Sequence, residues 1–319
     1  MVCKYRTYFF ITALVIIAMA FCACKNNDVD SRHVFVLLPR TLTNDFHRSL
    51  VDGAKSETEQ NDIYLEIYAP ISEDDYKYQE RQIQAILLRE NVDGVLITPN
   101  HSSALAPSLE SLDQKGIPFV LIDTPIDTDV DTSAFKHYCG FVGTDNRYGG
   151  SLAADYIARE LHRGDVLLIR GMETHKTSID RELGFLEAIG KYSDLRVVAI
   201  ENGNWMRDNS RMIMKSMSKK VVAIFAYNDL MALGAADFYE GKKDRPIIVG
   251  FDGLAEAQSA ILSGSIDATI VQTPDLMGET AVKLLSRCVK ENKYPQEMHL
   301  THVSLLKATR ILTSISNYK

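Results

Sequence analysis

Polar and aromatic side chains stand where the predicted strands of this sequence end. Asp123 follows the apolar run "PFVLI", Asn228 follows "IFAY" and Asp252 follows "IIVGF". Because ligands of an open α/β sheet bind at the carboxyl ends of its strands, we expect these side chains to converge on one crevice. The other candidates of this kind, at strand ends or at a helix start, are Asn44, Phe46, Thr98, Arg181, Trp205 and Gln272.

This set of side chains suits a sugar. Carboxylates and amide oxygens accept hydrogen bonds from hydroxyl groups, arginine and amide N–H groups donate to them, and aromatic faces cover the apolar C–H face of a sugar ring. Each residue also has a structural alternative. Asp123 and Asp252 could be turn residues, Trp205 and Phe46 core residues, and Arg181 a solvated helix charge.

The stretch Tyr227-Asn228-Asp229 poses a further question, because two polar residues stand where a buried strand passes into a helix. A helix N-cap explains one of them, since Asn and Asp accept hydrogen bonds from the N–H groups of the first turn. Because this position also lies at the carboxyl end of a strand, contact with a ligand is the alternative role for a polar residue here, and we expect it of Asn228.

Composition and charge indicate an ordinary globular protein. The chain has 319 residues, of which 46% are hydrophobic and 24% charged, with a formal net charge of -7. The length allows two domains with separate cores. The acidic balance disfavours binding to nucleic acid.

The N-terminus has the pattern of a secretory signal. Lys4 and Arg6 precede an apolar run over 8–20, and small residues lead to Cys24. A retained membrane helix is the alternative, although the run is near the lower length limit for a span. The "FCAC" stretch resembles the lipobox of bacterial lipoproteins, in which Cys24 would be lipidated, with residues 1–23 as the signal peptide and 24–33 as a tether.

From residue 34 onward, apolar runs alternate with amphipathic stretches, which predicts parallel sheets. The alternation occurs twice, over 34–123 and 165–271, and favours two doubly wound α/β domains over one large Rossmann-type sheet. The polar stretch between Thr124 and Tyr138 is expected to be a long loop or a crossover between domains. No G-x-G-x-x-G, P-loop or H-E-x-x-H spacing occurs, so we expect neither a nucleotide cofactor nor a metal site.

Several motifs in order resemble the periplasmic sugar-binding proteins of the ribose-binding type, a type I periplasmic binding fold shared with the LacI-type repressor core. They are "TNDFHRSLVDGA", "TDNRYGGSLAADYI", "DRELGF", "FAYNDLMALGA", "VGFDG" and "ATIVQTPDLMG", and the similarity covers nearly all of residues 34–310. The resemblance implies two α/β domains joined by a three-segment hinge, with the sugar clamped in the cleft between them. It implies an N-terminal lobe of residues 34–143 plus about 273–302, and a C-terminal lobe of 144–272 plus about 303–319.

The resemblance implies that each of these candidate residues matches a ligand contact of the family. It adds His47, which stands where ribose binders have a second Phe. Thr98 stands where they have Asn, and Thr124 where an Arg follows the aspartate. We therefore expect Asp123 to lack a neighbouring positive charge, and the ligand to differ from ribose at this edge.

The predicted function is a lipid-anchored extracytoplasmic receptor that is a monomer, binds a monosaccharide by hinged closure and delivers it to an ABC importer in the membrane. A membrane sensor kinase is an alternative partner. A LacI-type regulator would carry a helix-turn-helix before the core, where this chain has a signal-like segment. An enzyme would need an acid and base pair such as Asp123 and Asp252, but binding explains both carboxylates without an activated water. Whether Cys139 and Cys288 form a disulfide is left open.

Overall fold

The structure, a computed structural model, describes residues 32–127 and 129–317. Its strands are β1 (Val34–Leu38), β2 (Tyr64–Ile67), β3 (Gly94–Ile97), β4 (Phe119–Ile122), β5 (Tyr138–Thr144), β6 (Gly164–Arg170), β7 (Leu195–Asn202), β8 (Ala223–Ala226), β9 (Ile247–Asp252), β10 (Ala268–Val271), β11 (Glu297–Thr301) and β12 (Ser304–Lys307). Its helices are α1 (Asp45–Gln60), α2 (Tyr76–Leu87), α3 (Ala106–Lys115), α4 (Asn146–Glu160), α5 (Lys176–Ile189), α6 (Arg207–Ser216), α7 (Asp229–Tyr239), α8 (Ala255–Ser263), α9 (Pro274–Glu291) and α10 (Ala308–Asn317).

The strands form two six-stranded sheets, in the orders β11-β5-β4-β3-β1-β2 and β12-β10-β9-β8-β6-β7. All neighbouring strands are parallel except β12, which runs antiparallel to β10. We call the first sheet with its helices the first lobe, and the second sheet with its helices the second lobe. The chain passes between the lobes after β5, after β10 and after β11, so the predicted fold of two doubly wound lobes with three crossings is confirmed.

Each sheet is buried on both faces, as expected for parallel strands covered by helices. In β1, Phe35 and Leu37 pack on the side of α1 and α9, while Val36 and Leu38 pack on the side of α2 and α3. All four side chains are fully buried. The period-two alternation of strand side chains thus fills two separate apolar layers of the first lobe.

The stretch from Thr124 to Tyr138 connects two strands of the same sheet and contains a short 3-10 turn at Thr132–Ala134. Of the two expected alternatives, it is therefore the long loop and not the crossover between lobes. Strands β11 and β12 were not predicted, because β11 alternates between half-buried and exposed residues and carries little of the apolar pattern that marks the central strands. No described helix is long and apolar enough to span a membrane.

Close helix crossings in both lobes depend on glycine. A Cβ added at Gly53 or Gly278 would lie closer than 3.0 Å to backbone atoms of the partner helix in the α1–α9 pair. The same holds for Gly150 and Gly184 in the α4–α5 pair, where Gly150 faces the carbonyl of Arg181. The glycines therefore determine how closely α5, which carries Arg181, approaches α4.

We expect Gly150→Ala to lower the free energy of unfolding by about 1–3 kcal/mol or more, because the added methyl group overpacks a backbone contact that has no flexible side chain to yield. Chemical denaturation of the two proteins measures the loss. Gly190→Ala is the matched control, because Gly190 ends α5 at an ordinary helical φ of -59°. An unchanged unfolding midpoint for Gly150→Ala would show that the crossing tolerates a Cβ.

Candidate functional site

A cavity with a free volume of about 20 Å³ lies between the carboxyl ends of the two sheets. The two walls therefore stand close together, with room for about one water molecule between them. Both lobes contribute to its wall. The lining residues are Arg40, Asn44, Phe46, His47, Glu73, Asp123, Thr177, Arg181, Trp205, Asn228, Asp252 and Gln272.

Arg181 on α5 holds the central positive charge of the second lobe. Its Nε donates to Asn146 Oδ1 at 2.8 Å, and its Nη1 donates to the carbonyl of Tyr227. The guanidinium lies over the ring of Phe251 at 3.6 Å from the centroid, and its Nη1 is 3.8 Å from Asp252 Oδ1. These contacts fix the plane of the guanidinium while it is almost completely removed from water.

Asp252 at the end of β9 faces this charge from a buried position. Gln272 Nε2 donates to its Oδ1 at 2.8 Å, and Thr144 Oγ1 in turn donates to Gln272 Oε1 at 2.7 Å. Burial raises the pKa of Asp252, and the charge of Arg181 opposes this rise. The carboxyl group is therefore oriented by the protein before any ligand arrives.

Asn228 and Asp229 have separate roles, which answers the question posed by their sequence. Asn228 caps α7 by accepting from the N–H of Met231 at 2.9 Å, and it also lines the cavity. Asp229 does not line it. Its Oδ2 accepts from the N–H groups of Gly253 and Leu254, at 2.8 and 2.7 Å, and so fixes the turn that follows Asp252.

Burial raises the pKa of Asp229 to about 7. The hydrogen bonds that its carboxylate accepts, including one from Thr269 Oγ1 at 2.6 Å, oppose the rise. Asp229 is thus a structural carboxylate behind the site.

Trp205 forms the aromatic wall of the second lobe. It lies in the connection between β7 and α6 with a positive φ of 66°, and it is 5% exposed. Its carbonyl accepts from Asn228 Nδ2 at 3.2 Å, and its indole Nε1 donates to His175 Nδ1 at 2.9 Å. Both ends of the residue are held, so the indole ring has a fixed orientation at the cavity.

Arg40, which the sequence reasoning missed, supplies a second guanidinium from the first lobe. Its Nη2 donates to Asp123 Oδ2 at 2.8 Å and also to the Thr124 hydroxyl group, while Thr124 Oγ1 donates to Asp123 Oδ2 at 3.0 Å. The expectation that Asp123 lacks a positive neighbour was therefore wrong, because the charge arrives from the end of β1 instead of from the residue after Asp123. The sequence does contain a signal for Arg40 as a site residue, because it stands two residues after the apolar run of β1.

Glu73 is a second lining residue that the sequence did not indicate. Asn44, which caps α1 by accepting from the N–H of Phe46 at 3.0 Å, donates to Glu73 Oε1 at 3.2 Å. Arg40 Nη1 lies 3.8 Å from Glu73 Oε2, and burial raises the pKa of this carboxyl group. Glu73 comes from the loop before α2, which carries no apolar strand pattern.

The predicted contact at Thr98 is not part of the cavity wall. Thr98 is fully buried behind it, and its carbonyl accepts from Gln79 Nε2 at 2.8 Å. Thr177, at the start of α5, lines the cavity and was not predicted.

Three buried polar atoms of lining residues have no hydrogen-bond partner within the described protein. They are Arg40 Nε, His47 Nδ1 and Thr177 Oγ1. Burial and the charge of Arg40 hold the pKa of His47 well below its usual value, so its ring is neutral and offers one donor and one acceptor. Buried polar groups are rarely left unpaired, so these atoms mark where a polar ligand would bind.

No group of three or more His, Cys, Asp or Glu side chains in the described part of the chain is arranged to hold a metal ion. Cys139 and Cys288 are both buried and are free thiols in this structure.

Thr124→Arg alone should destabilise the protein by about 3–5 kcal/mol, because two buried guanidinium groups would compete for the carboxylate of Asp123. The double variant Arg40→Ser/Thr124→Arg moves the guanidinium from one strand end to the other and should recover most of this loss. Urea denaturation of the wild type, both single variants and the double variant gives the coupling energy. If the losses in unfolding free energy of the two single variants simply add in the double variant, the guanidinium introduced at Thr124 does not replace that of Arg40.

Comparison with known proteins places these features in a family. A model of the "Periplasmic binding protein domain" matches residues 35–293. The D-allose-binding periplasmic protein of Escherichia coli K12 is 29% identical over 299 residues, covering 91% of this chain and 93% of that protein. The ribose import binding protein of the same organism is 29% identical over 298 residues, covering 90% and 97%.

Among solved structures, an ABC transporter periplasmic solute binding protein from Actinobacillus succinogenes 130z with bound D-allose aligns with a TM-score of 0.81. It is 25% identical and covers 88% of this chain and 100% of that one. The fold, the strand-end residues and the sequence match agree, and the chain belongs to the periplasmic binding protein family.

Proposed function

We propose that this protein is an extracytoplasmic receptor that encloses one monosaccharide between its two lobes and is not an enzyme. The observation that carries the proposal is the cavity itself, which has buried, oriented polar groups from both lobes, including the unpaired Arg40 Nε and His47 Nδ1. A ligand that touches both lobes stabilises the closed form by its differential affinity for that form.

The charges around the cavity favour an uncharged ligand. Two guanidinium groups, of Arg40 and Arg181, face the carboxyl groups of Asp123, Asp252 and Glu73. Each positive charge already has a carboxylate beside it, so a sugar acid would bring a negative charge into a site with no surplus positive charge. Hydroxyl groups, which donate and accept, fit alternating guanidinium and carboxyl groups.

The contact set proposed for the sugar includes the predicted residues that line the cavity together with Arg40, Glu73 and Thr177. Trp205 and Phe46 would cover the apolar face of the ring. We also propose lobe boundaries at about residues 143, 273 and 303. The ends of β5, β10 and β11, which lie within about two residues of these positions, support this division.

The proposed membrane partner is an ABC sugar importer. The relatives in Escherichia coli are named for allose binding and ribose import, and the neighbour from Actinobacillus succinogenes is named as part of an ABC transporter. A sensor kinase that recognises the closed form is the second candidate, because it would use the same receptor and the same closure.

We also propose that the receptor is a lipoprotein attached to a membrane that faces the periplasm. The proposal rests on the charged start, the apolar run and Cys24, which all lie outside the residues that the structure describes. Monomeric action is proposed with it, since one chain supplies both walls of the cavity.

A thermal-shift screen of the mature protein against pentoses, hexoses, polyols and sugar acids tests the proposed function. We expect one neutral monosaccharide to raise the midpoint of unfolding, because a ligand that prefers the native state stabilises it. Competition calorimetry then ranks the ligands. A sugar acid as the tightest ligand, or no sugar that binds, would overturn the proposal.

Asp252→Ala and the isosteric Asp252→Asn should each weaken sugar binding by about thirtyfold, which is about 2 kcal/mol for the loss of one charge-assisted hydrogen bond in a desolvated site. Asp244→Ala is the matched control, because the Asp244 side chain is 83% exposed. Calorimetry on folded protein gives the affinities. Unchanged affinity in Asp252→Asn would remove this carboxylate from the site.

Cys24→Ser should abolish acylation and release the protein from the membrane fraction, since the thiol is the proposed attachment point. Mass spectrometry of the wild type and the variant, with fractionation of the cells, detects the lipid. A wild-type protein without lipid would contradict the anchor.

A further inference from the structure

His175 joins the two lobes through a chain of hydrogen bonds at the edge of the cavity. The residue is fully buried immediately before α5 in the second lobe. Its Nε2 lies 2.9 Å from the carbonyl oxygen of Asn100, which belongs to the first lobe, and its Nδ1 lies 2.9 Å from the indole Nε1 of Trp205. The imidazole and indole rings are also nearly parallel, with centroids 6.0 Å apart.

The two partners require the same form of the imidazole ring. An indole N–H only donates, so His175 Nδ1 must accept, and a carbonyl only accepts, so Nε2 must carry the hydrogen. The neutral Nε2–H tautomer satisfies both bonds. A second proton on Nδ1 would point at the indole N–H and break the bond to Trp205.

Asn100 connects this bond to the ligand wall of the first lobe. Its Nδ2 donates to the carbonyls of Arg40 and Glu73, at 3.0 and 2.7 Å, and its own N–H donates to Gln79 Oε1 at 2.9 Å. The carbonyl that accepts from His175 is thus rigidly tied to two lining residues. His175 therefore links the aromatic wall of one lobe to the charged wall of the other.

Two further bonds flank this one across the same boundary. Ser102 N–H donates to the carbonyl of Thr174 at 3.0 Å, and the N–H of Lys176 donates to Ser102 Oγ at 2.9 Å. Bonds between residues 100–102 and 174–176 exist only while the lobes are together, so their free energy adds to the stability of the closed form.

We propose that His175 is a closure latch and a positioning residue for Trp205: its bond to Asn100 forms when the lobes close, and the same ring then fixes the indole against the ligand. The proposal rests on hinged ligand binding as the function. It assigns to His175 a share of the ligand affinity although the residue does not line the cavity.

The latch should weaken in acid. The titratable groups that face His175 from the first lobe are Arg40 after β1, His47 on α1 and His101 after β3. Within the second lobe the nearby charged groups are paired, Lys176 with Asp180 and Arg181 with Asp252. Burial, Arg40 and His101 hold the pKa of His175 well below its usual value in the closed form. The open form exposes the ring to water and binds the proton more readily, so a fall in pH through about 6.5 favours opening and lowers affinity.

Two variants separate the two halves of the latch. In His175→Asn the amide oxygen takes the place of Nδ1 and still accepts from Trp205, but nothing reaches Asn100. In His175→Gln the amide nitrogen takes the place of Nε2 and still donates to Asn100, but Trp205 loses its acceptor. Ser102→Ala is a control that removes a neighbouring bond between the lobes without removing a titratable group.

We expect both His175 variants to bind the sugar identified for the wild type roughly 2- to 12-fold more weakly at pH 7.5, the effect of one hydrogen bond. At pH 5 the difference in affinity between the variants and the wild type should shrink, because His175 of the wild type is then protonated in the open form. Ser102→Ala should weaken binding by the same factor at both pH values. Small-angle scattering should show less compaction with ligand for His175→Asn than for His175→Gln.

The outcomes distinguish the latch from the function on which it rests. A wild type that binds no sugar contradicts the proposed function. A wild type that binds, with His175 variants of equal affinity at pH 7.5, overturns the latch. Weakened binding that is the same at both pH values and follows a lower ligand-free unfolding midpoint also overturns it, because His175 would then be structural only.

Discussion

Two buried guanidinium groups, one in each lobe, impose the constraint on which the rest of this site depends. A charge removed from water is costly unless an opposite charge and hydrogen bonds compensate it. Arg40 is compensated by Asp123 and Arg181 by Asp252, with nitrogen–oxygen distances of 2.8 and 3.8 Å. The buried charges must stay paired, and each pair lies at the carboxyl end of its sheet. The pairing therefore also determines the position of the two walls of the cavity.

The surrounding elements serve to keep these charges in place. Gly150 and Gly184 let α4 and α5 approach closely enough to hold Arg181 over Phe251. Asp229 fixes the turn after Asp252 through two backbone N–H groups. The polar groups are thus oriented before binding, which reduces the ordering that a ligand would otherwise have to provide.

The sequence predicted the fold and most of the cavity wall because both depend on local patterns. Buried central strands are mostly apolar, and polar residues stand at their ends or just after them, as Asp252 does in β9 and Asn228 does after β8, so strand ends could be located without a structure. The edge strands β11 and β12 were not predicted, because half-exposed strands lack the contrast between an apolar run and a polar end. Thr98 follows a strand end that was located correctly, yet it is fully buried and does not line the cavity, because a sequence pattern shows where a strand ends but not which of its neighbours reach the wall.

Arg40 and Glu73 show why the remainder could not be predicted. The sequence shows Thr124 beside Asp123, yet it does not show that a guanidinium from another strand reaches this carboxylate. That contact depends on the distance between two strand ends across the sheet, which only the three-dimensional structure supplies. Glu73 likewise reaches the cavity from a loop whose path is set by bonds from Asn100 to its backbone.

The proposed binding mode encloses an uncharged monosaccharide between both lobes by the two guanidinium–carboxylate pairs. A crystal structure of the protein with the sugar found by screening would show this mode. We expect ring hydroxyl groups within hydrogen-bonding distance of Arg181 and Asp252 on one side and of Arg40 on the other, with Trp205 against the ring. A sugar bound outside the cavity, or one that contacts a single lobe, would contradict it.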